Sequence, residues 1–312
     1  MKAPRILVVR LGAMGDIIHT LPAVASVKQS FPHSHIAWAV EERWMPLLEG
    51  NPFIDERIGV RKRNLPNFLA LRKRLRAKRF DIAIDFQGLI KSAITANLAR
   101  PDRIFGFHRS QARESLAALF YSSAIKTTAT HVVDQYAELA AGAGATAIAR
   151  SFFIPEGKPE GGVLPSGDFI LANPLAGWGS KQWPLESYLQ LAKRMDLPLV
   201  LNVPNAIEAP GAHVHVSGLP GLIDATRRAA AVIGVDSGPL HLAAALGKPG
   251  VAIFGPTDPS RNGPYGGSLT VLRSSTAETT YKRTTDTASS MQSITVDEVL
   301  AALTHALSKA VR

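Results

Sequence analysis

Residues 5–16 read RILVVRLGAMGD, a strand-like apolar run that passes directly into a turn containing two glycines. The centre of the run, Ile6–Val9, is continuously apolar, which is typical of a strand buried on both faces of a parallel sheet. The segment from Ile17 to Phe31 then has helical spacing. The stretch therefore predicts a strand, a tight turn and a helix in succession.

The same alternation of strand-like and helical segments continues along the first half of the chain. His35–Val40 and Asp81–Asp85 are strand-like, a helix is predicted from about Leu89, and Phe105–Phe107 is a candidate short strand. Strands that alternate with helices predict parallel strands joined by crossover helices. We therefore expect an α/β domain in this half.

The pattern restarts after residues 155–162, PEGKPEGG, which are rich in proline and glycine and have no hydrophobic period. The later strand-like runs are Phe169–Ala172, Leu197–Leu201, Val232–Val235 and Val251–Phe254. Two similar halves predict two Rossmann-like parallel-sheet domains facing a central cleft. The expected bounds are 1–155 for the first domain, 156–166 for a linker, 167–295 for the second domain and 296–312 for a C-terminal helix that can pack on either domain, including back on the N-terminal one.

Composition limits the class of protein and the kinds of site. The chain has 312 residues, of which 46% are hydrophobic and 19% are charged, so wholesale disorder is excluded. It has no cysteine, which excludes disulfides, thiol nucleophiles and cysteine-bound metals. No apolar run reaches the ~18 residues of a membrane span, and no signal-peptide pattern follows Met1. We therefore expect a cytoplasmic protein.

Positive charge is concentrated in one part of the chain. The net charge is +10, yet residues 57–113 hold 15 lysines and arginines against three acids, so the remainder sums to about −2. The apolar spacing between Leu65 and Leu75 predicts a helix with an apolar inner stripe and a cationic outer face. This face is either a solvated helix surface or a docking surface for phosphates at a membrane.

Three segments with reactive side chains follow predicted strands, where ligands bind in open α/β sheets. Asp16 begins the first helix, and local sequence favours a helix cap over a carboxylate that takes a proton from a hydroxyl. Lys181 is either an exposed loop lysine or a partner for phosphate. Asp236 and His241 start another helix, where a pyrophosphate can bind, although His241 can equally face the core. The segment around Asp16 contains neither a dinucleotide-binding fingerprint nor a P-loop.

Taken together, the motifs resemble those of a known family. They are GAMGDIIHTLPA at 12–23, DFQGLIKSA at 85–93, SKQWP at 180–184, VDSGPLHLAA at 235–244 and FGPTDP at 254–259. In this order, over nearly the whole chain, they are similar to the ADP-heptose:lipopolysaccharide heptosyltransferases of glycosyltransferase family 9. The run ARESLAALFY at 112–121 is most similar to heptosyltransferase I, which adds the first heptose to the Kdo of the inner core.

The resemblance implies a GT-B fold, with the donor nucleotide on the C-terminal domain, the acceptor on the N-terminal one, and an inverting reaction without cofactor or metal. Asp16 matches the family's catalytic base. The implied donor-side residues are Ser180, Lys181, Glu208, Asp236, Ser237, Gly238 and His241, and the acceptor-side residues are Gly15, Arg61, Lys62, Arg63, Lys91 and Arg113. The implied partners are ADP-heptose, a Kdo-lipid A acceptor and the anionic cytoplasmic face of the inner membrane, with no nucleic acid.

The chemistry of direct displacement agrees with these roles. The reaction needs a base for the incoming hydroxyl and positive charge for the departing ADP, which Asp16 and Lys181 would supply. The chain has no Asp-x-Asp pair for a metal. It departs from the family pattern at Ala176 and Gly177, where heptosyltransferase I often has hydroxyl residues, and at 204–222, which is short. This shortening leaves the match of Glu208 and the nucleotide base open.

Other functions remain possible on the sequence alone. The first is the same chemistry with another sugar or acceptor, as in heptosyltransferase II. The second is a non-catalytic protein that binds nucleotide sugars, or nucleic acid through the basic segment, although that segment has few aromatic residues for base stacking. A nucleotide-sugar epimerase on the same fold is the most remote alternative.

Overall fold

The computed structural model describes residues 3–61, 64–162, 164–280 and 282–310. The chain divides into two compact units, Met1–Pro155 and Glu156–Arg312. Within the described residues, each unit holds one six-stranded sheet in which every pairing is parallel. The α/β prediction with two parallel sheets is therefore confirmed.

The first unit is built on strands that alternate with helices. The strands are β1 (Arg5–Val9), β2 (His35–Glu41), β3 (Glu56–Val60), β4 (Ile82–Asp85), β5 (Arg103–Phe107) and β6 (Ser123–Ile125). The helices are α1 (Met14–Ser30), α2 (Leu65–Ala77), α3 (Ile90–Leu98) and α4 (Val132–Gly142), with 3-10 turns at Glu42–Leu48 and Ser115–Phe120. The strand order is β3-β2-β1-β4-β5-β6, which is that of a doubly wound sheet.

The second unit repeats this plan. Its strands are β7 (Ile170–Asn173), β8 (Leu199–Val203), β9 (His213–Val216), β10 (Ala231–Val235), β11 (Gly250–Phe254) and β12 (Leu269–Arg273). Its helices are α5 (Leu185–Ala192), α6 (Leu219–Arg228), α7 (Gly238–Ala245), α8 (Pro259–Asn262), α9 (Ser289–Gln292) and α10 (Val296–Ala310), with a 3-10 turn at Gly179–Lys181. The order β12-β11-β10-β7-β8-β9 is the same as in the first unit when the strands are renumbered from β7.

The last helix, α10, packs on the second unit. Its residues Val299 and Leu303 are buried in the same apolar cluster as Trp183 and Tyr188. The indole Nε1 of Trp183 donates a hydrogen bond of 2.9 Å to the carbonyl of Ile294, just before the helix. These contacts favour packing of α10 on the second domain over packing back on the N-terminal one.

The segment expected to be a linker is fastened to the second unit. Glu160 accepts a hydrogen bond of 2.8 Å from the backbone of Gly221, and its carbonyl lies 2.7 Å from Nε2 of His215. Lys158 donates from its backbone to the carbonyl of Pro220. Residues 156–162 therefore lie along β9 and α6, although none of them belongs to a helix or strand.

The strand order reverses between β1 and β4 in the first unit, and between β7 and β10 in the second. In doubly wound sheets, the loops that leave the carboxyl ends of such neighbouring strands diverge and leave room for a ligand. The motifs at 12–23 and 85–93 follow β1 and β4, and those at 180–184 and 235–244 follow β7 and β10. The fold thus brings four of the five quoted motifs together in two pairs, and the fifth, at 254–259, follows β11.

Candidate functional site

Asp16 lies in the first turn of α1, and three groups hold its carboxylate. Oδ2 lies 2.6 Å from Nη2 of Arg10, and Nη2 of Arg113 lies 3.0 Å from Oδ1 and 3.1 Å from Oδ2. The backbone N–H of Ala13 donates to Oδ2 at 3.3 Å. Ala13, rather than Asp16, occupies the cap position, and Asp16 reaches back to it from the third helical residue.

Arg10 is the residue of this cluster that sequence reasoning missed. Its side chain is 1% exposed, Nη1 donates to the carbonyl of Phe86 at 2.6 Å, and the guanidinium stands 5.4 Å from the ring centre of Tyr136. Burial alone would raise the pKa of Asp16, but the charge of Arg10, and then that of Arg113, holds that pKa below its ordinary value. The signal that could have singled out Arg10 was its position, since it is a charged residue directly after the buried strand β1.

The 85–93 motif fastens the turns that follow β1 and β4. Gln87 accepts a hydrogen bond of 2.8 Å from the backbone of Leu11, and buried Asp85 accepts from Ser92 and from the hydroxyl of Tyr121, each at 2.8 Å. Burial raises the pKa of Asp85, although its hydrogen bonds act in the opposite direction. The motif therefore supports the backbone that carries Arg10 and Asp16, and Asp85 has a structural role.

The predicted acceptor-side residues follow several strands of the first sheet. Arg61 pairs with Glu42 at 2.8 Å, and Nζ of Lys91 lies 3.4 Å from Oε1 of Glu41. Arg113, which is half exposed, contacts Asp16 directly. Gly15 is buried in the first turn of α1, and Lys62 and Arg63 lie outside the described residues.

In the second unit, Asp236 is the centre of the polar cluster at the carboxyl edge. Its Oδ2 lies 2.5 Å from Nζ of Lys181 and accepts a hydrogen bond of 2.8 Å from Thr257. Its Oδ1 lies 3.6 Å from Nε2 of His241. Burial opposes ionisation, but His241 and Lys181 hold the pKa of Asp236 far below its ordinary value. Lys181 is thus a largely buried ion-pair partner and not an exposed loop lysine.

The start of α7 adjoins this cluster. Ser237 is the cap residue, Gly238 is the first helical residue, and His241 is buried in the first turn. Among the described residues, no hydrogen-bond partner is found for Oγ of Ser180, Oγ of Ser237 or either amide atom of Asn173, although all are buried. Buried polar atoms without partners are costly, so this edge of the sheet is suited to a polar ligand. The partial positive charge at a helix start favours an anion.

Two predictions stand apart from this cluster. Glu208 is exposed in the loop between β8 and β9, and within the described part of the chain the contacts of Asp236 and Lys181 do not include it. Thr257, by contrast, was quoted within a motif but given no role, and Asn173 lies outside the quoted motifs. Their position at the ends of β7 and β11 was the signal that could have singled them out.

The architecture and the two clusters define a class of protein. Each unit is a Rossmann-like sheet with polar residues at the reversal of strand order, and two such units in one chain are the plan of GT-B glycosyltransferases. The family model of glycosyltransferase family 9 (heptosyltransferase) matches residues 68–197 and 217–292. The chain belongs to this family, and the predicted family, GT-B fold and glycosyltransferase class are confirmed.

Individual relatives agree with this assignment. The lipopolysaccharide heptosyltransferase 1 of Pseudomonas aeruginosa is 30% identical over 308 residues, covering 86% of this chain and 84% of that protein. E. coli heptosyltransferase WaaC, solved with ADP and with ADP-2-deoxy-2-fluoro heptose, has a TM-score of 0.75 in both structures at 27% and 26% identity, covering 95% of this chain and 97% of WaaC. E. coli ADP-heptose lps heptosyltransferase II has a TM-score of 0.80 at 22% identity, covering 99% of this chain and 100% of that chain, and supports the fold alone.

Two kinds of feature are absent from the described residues. No helix in this part of the chain is long and apolar enough to span a bilayer. No group of three or more His, Asp or Glu side chains in the same residues is placed to hold a metal ion.

Proposed function

We propose that this protein transfers heptose from ADP-heptose to a Kdo residue of the lipopolysaccharide inner core. The observation that carries the proposal is the carboxylate of Asp16, kept ionised by Arg10, in a chain 30% identical to a lipopolysaccharide heptosyltransferase 1. The donor assignment is supported by the WaaC structures, which hold ADP and a fluorinated ADP-heptose. The proposed acceptor is supported by the relatives, which are lipopolysaccharide heptosyltransferases, and by the similarity of the 112–121 run to heptosyltransferase I.

The proposed reaction is a direct displacement that inverts the anomeric carbon. The acceptor oxygen attacks C1 of the heptose, the bond from C1 to the diphosphate oxygen breaks, and Asp16 accepts the proton of the attacking hydroxyl. Because the pKa of Asp16 is low, proton transfer is expected to follow, rather than precede, formation of the new bond. The first unit thereby supplies the chemistry of the acceptor.

The second unit supplies charge for the leaving group. ADP gains negative charge as it departs, and Lys181 and the N-terminus of α7 stabilise that charge. The buried atoms of Ser180, Ser237 and Asn173 that have no partner among the described residues are suited to oxygen or hydroxyl groups of the donor. We propose that this leaving-group stabilisation needs neither a metal ion nor a cofactor.

The exposed cation next to the base has a role in this scheme. Arg113 contacts both carboxylate oxygens of Asp16 and is half exposed, so it can exchange this partner for an anionic group of the acceptor. Kdo carries a carboxylate, and lipid A carries phosphates. If Arg113 leaves Asp16 and pairs with such a group, Asp16 becomes a stronger base. This change would occur only when an acceptor is bound.

We also propose that the enzyme acts at the cytoplasmic face of the inner membrane. The helix α2 carries three arginines and one lysine in its C-terminal half, and its first-turn Leu65 is 70% exposed. The sequence placed Leu65 in the inner apolar stripe, but the contact with the core is made further along, by Leu75. A helix that carries both cationic side chains and an exposed leucine is suited to an anionic lipid surface.

Purified protein incubated with ADP-heptose tests the function. We expect ADP release and a heptosylated product by mass spectrometry only when a Kdo-lipid A acceptor is present. Asp16→Asn should abolish turnover and retain binding of ADP, whereas Asp297→Asn, an exposed carboxylate on α10, should leave turnover unchanged. Transfer only to acceptors that already carry heptose would favour a heptosyltransferase II reaction, and full activity of Asp16→Asn would remove Asp16 from its role.

A further inference from the structure

The segment between β12 and α9, residues 274–288, is rich in serine and threonine, and its described residues contact the carboxyl edge of the second sheet. The backbone N–H of Thr280 donates to the carbonyl of Pro256 at 2.7 Å, and Ser180 donates from its backbone to the carbonyl of Thr284 at 3.4 Å. Arg273, at the end of β12, donates to the carbonyl of Gly255 at 3.2 Å. The segment is therefore attached to the turns that follow β7 and β11, which also carry Lys181 and Thr257.

The contact between this segment and the Lys181 turn is close. A Cβ atom added at Gly179 would collide with the carbonyl of Thr285. Only a glycine permits this approach without movement of the backbone, so the sequence of the turn allows the segment to reach it. The same approach brings Arg283, which precedes Thr285 in the segment, close to Trp178 of this turn.

Two cations share one aromatic ring at this point. Nζ of Lys181 lies 4.3 Å from the ring centre of Trp178, and the guanidinium carbon of Arg283 lies 5.2 Å from it. Each cation is attracted to the ring, but two positive groups on one ring also repel each other. An anion that contacts both cations would offset this repulsion.

The charges of the two cations are not equally available. Asp236 already compensates Lys181 at 2.5 Å. Arg283 is exposed, and within the described ranges no carboxylate lies within ion-pair distance of it. A nucleoside diphosphate that binds next to Lys181 therefore needs a further positive charge, and Arg283 is the cation that the ring of Trp178 holds beside that position.

We propose that Arg283 binds the diphosphate of the donor and that Trp178 is the platform that orients it. The inference rests on the proposed function, because it takes the nucleoside diphosphate to lie at Lys181. A guanidinium can donate two parallel hydrogen bonds to phosphate oxygens, which a lysine cannot do. The Ser/Thr-rich segment is then part of the donor site.

Calorimetric titration of the full-length protein with ADP, AMP and adenosine tests this inference. A charge-assisted hydrogen bond contributes enough that Arg283→Ala should weaken ADP binding about tenfold. AMP should be affected less and adenosine hardly at all, because they lack part or all of the diphosphate. Lys282→Ala is the matched control, since it removes the same charge from the adjacent residue, and it should change ADP binding by less than about twofold at physiological salt.

The platform is tested separately. Trp178→Leu should weaken ADP binding, and Arg283→Ala should then have little further effect in the Trp178→Leu background. Unchanged ADP affinity in Arg283→Ala, an equal loss in Lys282→Ala, or independent effects in the double variant would each overturn the inference. If the unmodified protein does not bind ADP at all, the proposed donor and this inference both fail, whereas ADP binding that ignores Arg283 removes this inference alone.

Discussion

Replacing Arg10 by methionine should move the acidic limit of activity to higher pH. In the native protein, burial raises the pKa of Asp16, but the charges of Arg10 and Arg113 and the hydrogen bonds from Ala13 and Arg10 together hold that pKa below its ordinary value. The variant leaves the burial in place and keeps the N–H of Ala13 and the charge of Arg113, which is half exposed and therefore screened by water. The pKa of Asp16 must rise, because the ionised carboxylate loses its strongest partner.

The size of the effect follows from the geometry of the pair. Nη2 of Arg10 lies 2.6 Å from Oδ2 of Asp16, and the guanidinium is 1% exposed, so solvent screens the interaction weakly. A neighbouring arginine lowers the pKa of an aspartate by about 1–3 units. The pH at which kcat/KM falls to half on the acidic side should therefore rise by about 1–3 units in Arg10→Met.

The variant should also be less stable at neutral pH. A carboxylate with a lowered pKa stabilises the fold above the unfolded pKa of about 3.9, and this stabilisation is lost as the pH falls through the folded value. Removing one member of a buried ion pair costs about 3–5 kcal/mol of unfolding free energy. Activity should therefore be measured below the unfolding temperature of the variant, which a thermal melt at each pH establishes.

The assay is ADP release from ADP-heptose with a Kdo-lipid A acceptor, followed from about pH 4.5 to pH 9. Arg10→Lys is the control, because it keeps the charge beside Asp16 and loses the planar contact with the carbonyl of Phe86. We expect the acidic limb of Arg10→Lys to stay near that of the native protein. An unmoved limb in a folded Arg10→Met protein would show that Asp16 is not the group whose ionisation limits the rate.

Three further changes have expected outcomes. Trp183→Ala should lower the unfolding free energy by about 3–5 kcal/mol in urea denaturation, because its buried ring joins α10 to the second core. Tyr121→Phe should lower it by about 1–3 kcal/mol, since buried Asp85 loses a donor, and refolded protein should keep native ADP affinity. Replacing Arg72, Lys73 and Arg76 of α2 by glutamate should reduce the fraction of protein that sediments with anionic vesicles, most strongly at low salt. Unchanged binding would make this face an ordinary solvated surface.

The central strands of both sheets were predictable because burial on both faces makes them continuously apolar. β1, β10 and β11 are buried at nearly every position. The strands that were missed lie at or near the sheet edges, where fewer positions are buried. β3 begins with Glu56 and Arg57, and β9 reads HVHV, so neither has a continuous apolar run. An edge strand is defined by its pairing with a neighbouring strand, which the local pattern of residues does not reveal.

The site was predictable in outline for a different reason. The rule that ligands bind beyond strand ends singled out Asp16, Lys181 and Asp236 without any knowledge of contacts. The contacts that these residues make could not be predicted from the sequence, because Arg113 is 97 residues from Asp16, and Asp236 is 55 residues from Lys181. Only the fold brings such pairs within hydrogen-bond distance.

The structural and functional interpretations of Asp16 and His241 are compatible, and the geometry of a helix start explains why. Asp16 accepts a hydrogen bond from Ala13, as a capping residue does, and the same position puts its carboxylate at the edge of the sheet. His241 is buried in the first turn of α7 and also faces Asp236. In a doubly wound sheet, the first turn of a helix lies where ligands bind, so a residue that stabilises this turn is already positioned for chemistry. Local sequence alone therefore cannot separate the two roles, and the deciding information is which charges the rest of the fold brings to the same carboxylate.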